Sequence, residues 1–152
     1  MTIKEYLNQL PKLKYKAETA TARYEDLVLR ATSPGCALDL GDTGRRIQGS
    51  GNATENTLIE MSDAGKKSRA ANERYYNFRD QLEKDIDNLL YWQGCLIYQC
   101  YIYNVIIEAD DNLKGAADIL RTTSRREILA KLAEAERALA DILQARGLDI
   151  EN

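Results

Sequence analysis

The stretch that decides the fold is residues 52–107, NATENTLIEMSDAGKKSRAANERYYNFRDQLEKDIDNLLYWQGCLIYQCYIYNVII. It contains no proline, and apolar residues recur three and four positions apart between charged ones. They are Met61, Tyr75, Leu82, Ile86, Leu89, Leu96, Tyr103 and Ile107. This spacing predicts one long helix, or two nearly collinear helices, with a narrow apolar seam. Because such a seam cannot form a core alone, the flanking segments must supply partner helices, and we predict an all-α fold.

The N-terminal region, residues 1–32, carries its own helix signals. Thr2 and Glu5 form a Thr-x-x-Glu capping box, which satisfies the first free amide groups of a helix. Pro11 cannot donate the helical hydrogen bond, so it predicts either a kinked helix or a short helix followed by a new start. An apolar stripe beyond it predicts helix to about Ala31.

Residues 33–51 hold five of the nine glycines and predict a loop. A loop of this length is unusual inside a compact domain, so it is either functional or a solvated connector. Asn52 follows the loop, and its side chain suits the N-cap of the long helix.

Residues 112–147 predict a short amphipathic helix, a brief turn and a longer helix. Ser124 and Glu127 form a second capping box at the start of the longer helix, and Gly147 suits its end. This order is the outline of a helix-turn-helix. We therefore predict one all-α domain, residues 1–152, an elongated bundle of antiparallel, coiled-coil-like long helices with a C-terminal helix-turn-helix-like pair.

Composition argues against an enzyme. The chain has no histidine, which excludes the usual zinc triads and the Ser-His-Asp and Cys-His catalytic sets. It has no phosphate-binding glycine loop, and its three cysteines lack metal-ligand spacing, so we expect no cofactor and no metal. Neither a secretory signal nor a membrane span is evident. We expect a cytoplasmic protein with buried thiols and no membrane partner.

Basic residues gather around the start of the last predicted helix. Residues 114–131 include five basic and two acidic side chains, in a chain of net charge −3. If the unit reads DNA, side chains at this place would meet bases and phosphates. The candidate DNA-binding residues are Arg121, Thr123, Ser124, Arg125, Arg126 and Lys131. A capped helical hairpin with a solvated basic end is the alternative.

Tyrosine is unusually frequent, with nine in the chain, and several lie close together near Trp92. Dense aromatic side chains favour a protein interface because they bury a large area and keep a polar group. The candidate interface residues are Leu82, Leu89, Trp92, Tyr98 and Tyr101. We expect a homo-oligomer or a partner protein, unless these side chains pack inside the bundle.

Six segments resemble, in order, a family of small phage and prophage proteins of Gram-positive bacteria, the ArpU-type regulators, whose C-terminal part is similar to region 4 of sigma-70 factors. The segments are residues 4–7 (KEYL), 27–33, 46–51 (RIQGSG), 58–63 (LIEMSD), 100–102 (CYI) and 112–139. Each motif is short and degenerate, and the turn at residues 121–123 lacks the family's usual glycine.

The resemblance implies a phage-type transcriptional regulator that contacts promoter DNA, RNA polymerase or both. It also implies that Ser124, Arg125 and Arg126 begin the recognition helix. Leu113, Ala116, Ala117 and Leu120 would form its supporting helix. The alternative is a helical protein–protein interaction protein without DNA binding, either a dimer or a phage inhibitor of a host protein such as a defence component.

Overall fold

A computed structural model describes residues 1–32, 50–103, 111–122 and 124–151, with the backbone alone for 50–54, 111–114 and 116. The helices are α1 (Ile3–Leu7), α2 (Gln9–Thr32), α3 (Ser50–Ile86), α4 (Tyr91–Ile97), a π-helical segment (Tyr98–Tyr103), α5 (Asp111–Leu120) and α6 (Arg125–Ala145). The only β feature among the described residues is an isolated bridge between Thr2 and Glu151. The predicted all-α fold is confirmed.

The two N-terminal helices follow their sequence signals. The Thr2 hydroxyl accepts from the Glu5 amide at 3.2 Å, and the Glu5 carboxylate accepts from the Thr2 amide at 2.8 Å. The hydrogen bond from the Thr2 amide lowers the pKa of the Glu5 carboxyl, and an interaction with the Thr2 side chain lowers it further. Helix α1 ends before Asn8, and α2 starts at Gln9. Pro11 therefore lies in the first turn of α2, where no backbone amide donor is needed. Of the two alternatives at Pro11, a short helix and a new start is the one found.

The predicted helix over residues 52–107 is wrong in its extent. In a continuous helix residues 86 and 94 would lie about 12 Å apart along the axis. Instead, a Cβ placed on Gly94 would be 3.2 Å from Cγ2 of Ile86, because the chain turns sharply between α3 and α4. At the turn the Leu90 amide donates to Oε1 of Gln93 at 3.2 Å. Since Leu89 in this turn still packs on the core, the apolar spacing continues through it and conceals the break.

The start of α3 also differs from expectation. Helix α3 begins at Ser50, so Asn52 lies in its first turn rather than at its N-cap. Of the predicted loop, residues 33–49 lie outside the described part of the chain.

Contacts divide the described chain into two compact units. The first unit comprises Met1–Leu13 and Tyr75–Asn152, and the second comprises Lys14–Arg74. That the two form one domain, as the sequence predicts, stays a prediction.

The first unit is built around large apolar side chains. Helix α4 packs against α5 and α6, and α1 packs against α6. Its fully buried side chains are Leu7, Leu10, Leu82, Leu96, Ile97, Leu139 and Leu143. An ion pair joins Arg146, just after α6, to the buried carboxylate of Asp85 near the end of α3, with 2.5 Å between Nη1 and Oδ2. The unit thus holds α6 through both apolar packing and a partly buried ion pair.

The second unit has a seam of small and polar side chains. Thr21 of α2 and Ser68 of α3 have hydroxyl oxygens 3.0 Å apart, and the Asn72 amide donates to the Thr21 hydroxyl at 3.0 Å. Ala17 and Ala64 are buried beside them. Higher-numbered residues of α2 face lower-numbered residues of α3, since Tyr24 contacts Gly65. The two helices are therefore antiparallel.

Candidate nucleic-acid interface

The turn between α5 and α6 contains a backbone conformation that arginine rarely adopts. Arg121 follows the last residue of α5 and has φ +52°, in the left-handed region. The Thr122 amide donates to the Ala117 carbonyl at 3.2 Å, which completes a Schellman ending of the helix. Glycine usually fills this position because a side chain there costs about 1–2 kcal/mol. The turn thus keeps an exposed cation where a glycine would be more stable.

The start of α6 is capped by three side chains. The Ser124 hydroxyl accepts from the Glu127 amide at 3.5 Å, which is one half of the predicted capping box. In the other half of a capping box, the Glu127 carboxylate would accept from the Ser124 amide. Here it accepts from the Thr122 hydroxyl instead, at 2.6 Å. That hydroxyl in turn accepts from the Ser124 amide at 3.2 Å. Ser124 therefore has a structural role as the N-cap, and Thr123 lies outside the described residues.

One face of α6 presents arginines on both sides of small residues. Arg126, Ala130, Ala133 and Arg137 follow one another at helical spacing, and all but the half-buried Ala133 are exposed. Arg126 and Arg137 are separated by about 16 Å along the helix axis. Arg125 is exposed one residue before this row. We call these five residues, together with Leu129, the α6 face.

Arg137 was missed by sequence reasoning. It lies outside the local cluster of positive charge at residues 114–131, among acidic neighbours. The signal that could have found it is its spacing of eleven residues from Arg126, about three helical turns.

Lys131, a predicted DNA-binding residue, is occupied within the protein. Its ammonium lies 4.8 Å from the centroid of the Trp92 ring and donates to the Glu134 carboxylate at 2.7 Å. A cation over an indole face is stabilised there by about 0.5–1 kcal/mol when exposed. Lys131 therefore already has two partners within the protein.

A cluster of polar side chains joins α6 to the π-helical segment. The Tyr101 hydroxyl in the π-helical segment donates to Oε1 of Glu136 at 2.5 Å, and Lys4 approaches Oε2 of that carboxylate at 3.9 Å. Glu136 is only 5% exposed, so these contacts satisfy a costly buried group. Burial raises the pKa of the Tyr101 hydroxyl, and its hydrogen bond to Glu136 raises this pKa further. Burial is the main reason that the pKa of the Cys100 thiol is raised to about 11, and the negative charge of Glu136 adds to the effect.

The predicted interface residues lie mostly inside the first unit. Leu82 has no exposed surface, which is a correction, because a fully buried side chain offers nothing to a partner in this conformation. Leu89, Tyr98 and Tyr101 pack partly buried against the larger core cluster, and Trp92 packs against a smaller one. The alternative of packing inside the bundle describes these five residues better.

Other tyrosines are exposed. Tyr76 and Tyr103 are 54% and 74% exposed. The Tyr103 ring lies 5.9 Å from that of Tyr98, and the Tyr76 ring lies 5.1 Å from that of Tyr75. We call these four residues the tyrosine patch, together with Arg79, which lies one helical turn after Tyr75 and donates to the Glu83 carboxylate at 2.8 Å. It offers the side chains typical of protein interfaces.

Two further features bear on the class of site. The described residues contain no group of three or more cysteine, aspartate or glutamate side chains placed to hold a metal ion. In that same part of the chain, no helix is both long and apolar enough to cross a membrane.

Comparison with known proteins leaves the site to be interpreted from its own geometry. No protein-family model, curated protein or solved structure matches the chain.

Proposed function

We propose that the protein binds double-stranded DNA through the α6 face and acts as a phage-type transcriptional regulator. The observation that carries this proposal is Arg121, an exposed arginine kept in a left-handed conformation one turn before the arginines of α6. Residues in sparsely populated backbone conformations cluster at functional sites. An arginine there has a use that glycine could not supply, namely a guanidinium for a phosphate.

The dimensions of the α6 face suit the major groove. The groove is about 12 Å wide and admits a helix. The arginines of the row lie about 16 Å apart, so they can reach phosphates on the two walls of the groove. The alanines between them let the helix backbone approach the base edges.

Local charge supports an anionic ligand despite the net charge of −3. The carboxylates of Glu127 and Glu134 accept hydrogen bonds from Thr122 and Lys131. These carboxylates keep their negative charge, and residues 114–131 still carry five basic side chains against two acidic ones. Direct contact with RNA polymerase, in addition to DNA, stays part of the proposal for a regulator.

The test is fluorescence anisotropy of a labelled duplex of about 30 base pairs at low salt. We expect tight binding by the wild type and a loss of roughly tenfold or more for Arg125→Ala/Arg126→Ala, since each phosphate or base contact contributes about 1 kcal/mol or more. The matched control is Arg69→Ala/Arg74→Ala, which removes two exposed arginines from α3 and should leave affinity unchanged. Equal affinity for both double variants would overturn the proposal.

A second candidate function is supported by the tyrosine patch: a protein–protein interaction, with a second copy or a host protein. Tyrosine and arginine are enriched among residues that dominate binding energy. Tyr103→Glu would place a charge in this patch and should abolish any concentration-dependent association in analytical ultracentrifugation. A wild-type protein that stays monomeric at high concentration and binds no host protein would contradict this candidate.

A further inference from the structure

A groove of about 380 Å³ runs along one side of the second unit, between α2 and α3. The small side chains of Ala20 and Ala64 line it, and Ala64 is buried. Where side chains are small, the axis of another helix can approach closely. The groove therefore has the shape to receive a further helix.

The charged side chains of the groove are separated by sign along its length. Because α2 and α3 are antiparallel and Tyr24 contacts Gly65, residues of α2 before Tyr24 lie beside residues of α3 after Gly65. One half of the groove is therefore cationic and the other half is acidic. The cationic half contains Lys16, Arg23 and Lys67, and the acidic half contains Glu60 and Asp63.

These five charges differ from their neighbours in having no internal partner. Elsewhere on α2 charges pair within the helix, Lys14 with Glu18 and Arg30 with Asp26. Within the part of the chain that the structure describes, none of the five charged side chains of the groove forms an ion pair. All five are exposed. The groove thus presents unpaired charges of both signs to a ligand.

Charges separated in this way are complementary to a second copy of the same surface. A two-fold axis perpendicular to the helices near Gly65 would place the acidic half of each groove against the cationic half of the other. Helix α3 of each copy would then lie in the groove of the other, with Asp63 opposite Lys67 of the second copy. Such an isologous contact, in which one surface meets itself, is the commonest arrangement in homo-oligomers. We propose that a second copy of this chain occupies the groove, so that α2 and α3 of the two copies form an antiparallel four-helix bundle.

The experiment exchanges the two charges that face each other across the axis. Asp63→Lys and Lys67→Asp each place like charges opposite one another at two symmetry-related positions, so each variant alone should associate roughly tenfold or more weakly than the wild type. In an equimolar mixture of the two variants, each introduced charge meets an opposite charge and both pairs are restored. Sedimentation equilibrium should therefore show dimers for the wild type and for the mixture, and mainly monomers for each variant alone.

The matched control is Glu73→Lys, a charge reversal at an exposed residue of α3 that does not line the groove. It should leave the dimer unchanged, and circular dichroism verifies that all variants keep their helices. A wild type that stays monomeric at high concentration overturns the inference, and in that outcome a different protein or solvent occupies the groove. A mixture no more dimeric than its components also overturns it. Association abolished by Tyr103→Glu but not by Asp63→Lys would assign the second copy to the tyrosine patch and overturn it as well.

Discussion

The two units of the molecule achieve helix packing in opposite ways. The first unit buries leucine and isoleucine side chains to 0% exposure and contains the partly buried Asp85–Arg146 ion pair. The second unit joins two helices by alanine, serine, threonine and asparagine, and no large apolar side chain is buried among its described residues. Apolar area stabilises by about 25 cal/mol per Å², so the first unit gains far more from burial. In the second unit, the close approach of α2 to α3 and the hydrogen bonds between them define how the two helices pair.

The largest effect should come from truncating the core of the first unit. Leu139→Ala empties a fully buried position of α6 and should lower the free energy of unfolding by about 2–5 kcal/mol, as cavity-forming substitutions do. Leu58→Ala in the second unit removes an exposed side chain and should change it by less than about 0.5 kcal/mol. Urea denaturation followed by circular dichroism measures both. Equal effects would remove the contrast between the units.

A second test enlarges a small residue of the seam. Ala64→Leu places a large side chain at a position 6% exposed between α2 and α3 and should cost about 1–3 kcal/mol by overpacking. Its control is Ala70→Leu, an exposed position on the same helix, which should have little effect. Native-state hydrogen exchange of the α2 and α3 amides reports on this unit directly. A seam that accepts leucine at no cost would mean that the close packing is not required.

Alkaline pH should weaken the first unit through Cys100. Its pKa is raised from 9.0 to about 11, so the neutral thiol is favoured in the folded state. This contribution is fully present below pH 9 and is lost as pH rises through about 11, on the order of 2 kcal/mol. Urea midpoints between pH 8 and pH 11 should therefore fall less for Cys100→Ala than for the wild type. Cys95→Ala, at a half-buried thiol, should retain the wild-type fall; the same slope for all three would refute the assignment to Cys100.

The smallest effect on stability is expected in the turn before α6, where a substitution should stabilise the protein rather than destabilise it. Arg121→Gly relieves the left-handed backbone and should raise the free energy of unfolding by about 1 kcal/mol. Arg121→Ala keeps a β-carbon and should not. If Arg121 contacts DNA, both variants lose affinity equally although their stabilities differ. Thermal denaturation and anisotropy together separate the two roles, and a glycine variant that is no more stable would show that the conformation is unstrained.

Local signals predicted several of the helix ends, because such signals depend only on neighbouring residues. The capping hydrogen bonds of Thr2 and Ser124, and the left-handed Gly147 after α6, were all visible in the sequence. The turn between α3 and α4 was not, since Leu89 continues the apolar spacing through it. Apolar spacing alone does not distinguish one straight helix from two helices that fold back onto the same core.

The candidate site was predictable only in part, for the same reason. Arg125 and Arg126 could be placed on an exposed helix start from the cap alone. Lys131 could not be assigned, because its contact with Trp92 joins α6 to α4, which are distant in sequence. Tyr101 was expected at an interface, yet its hydroxyl satisfies the buried Glu136. Tertiary contacts thus decided which of the predicted residues are available to a partner.

The central claim, that the α6 face spans the major groove with arginines on both walls, is tested most directly by salt dependence. The logarithm of the binding constant for a labelled duplex is measured against the logarithm of salt concentration for the wild type, Arg126→Ala, Arg137→Ala and the double variant. Each lost phosphate contact should reduce the slope by about 0.9, so the double variant should lose about 1.8. Slopes identical to the wild type in all three variants would contradict the account.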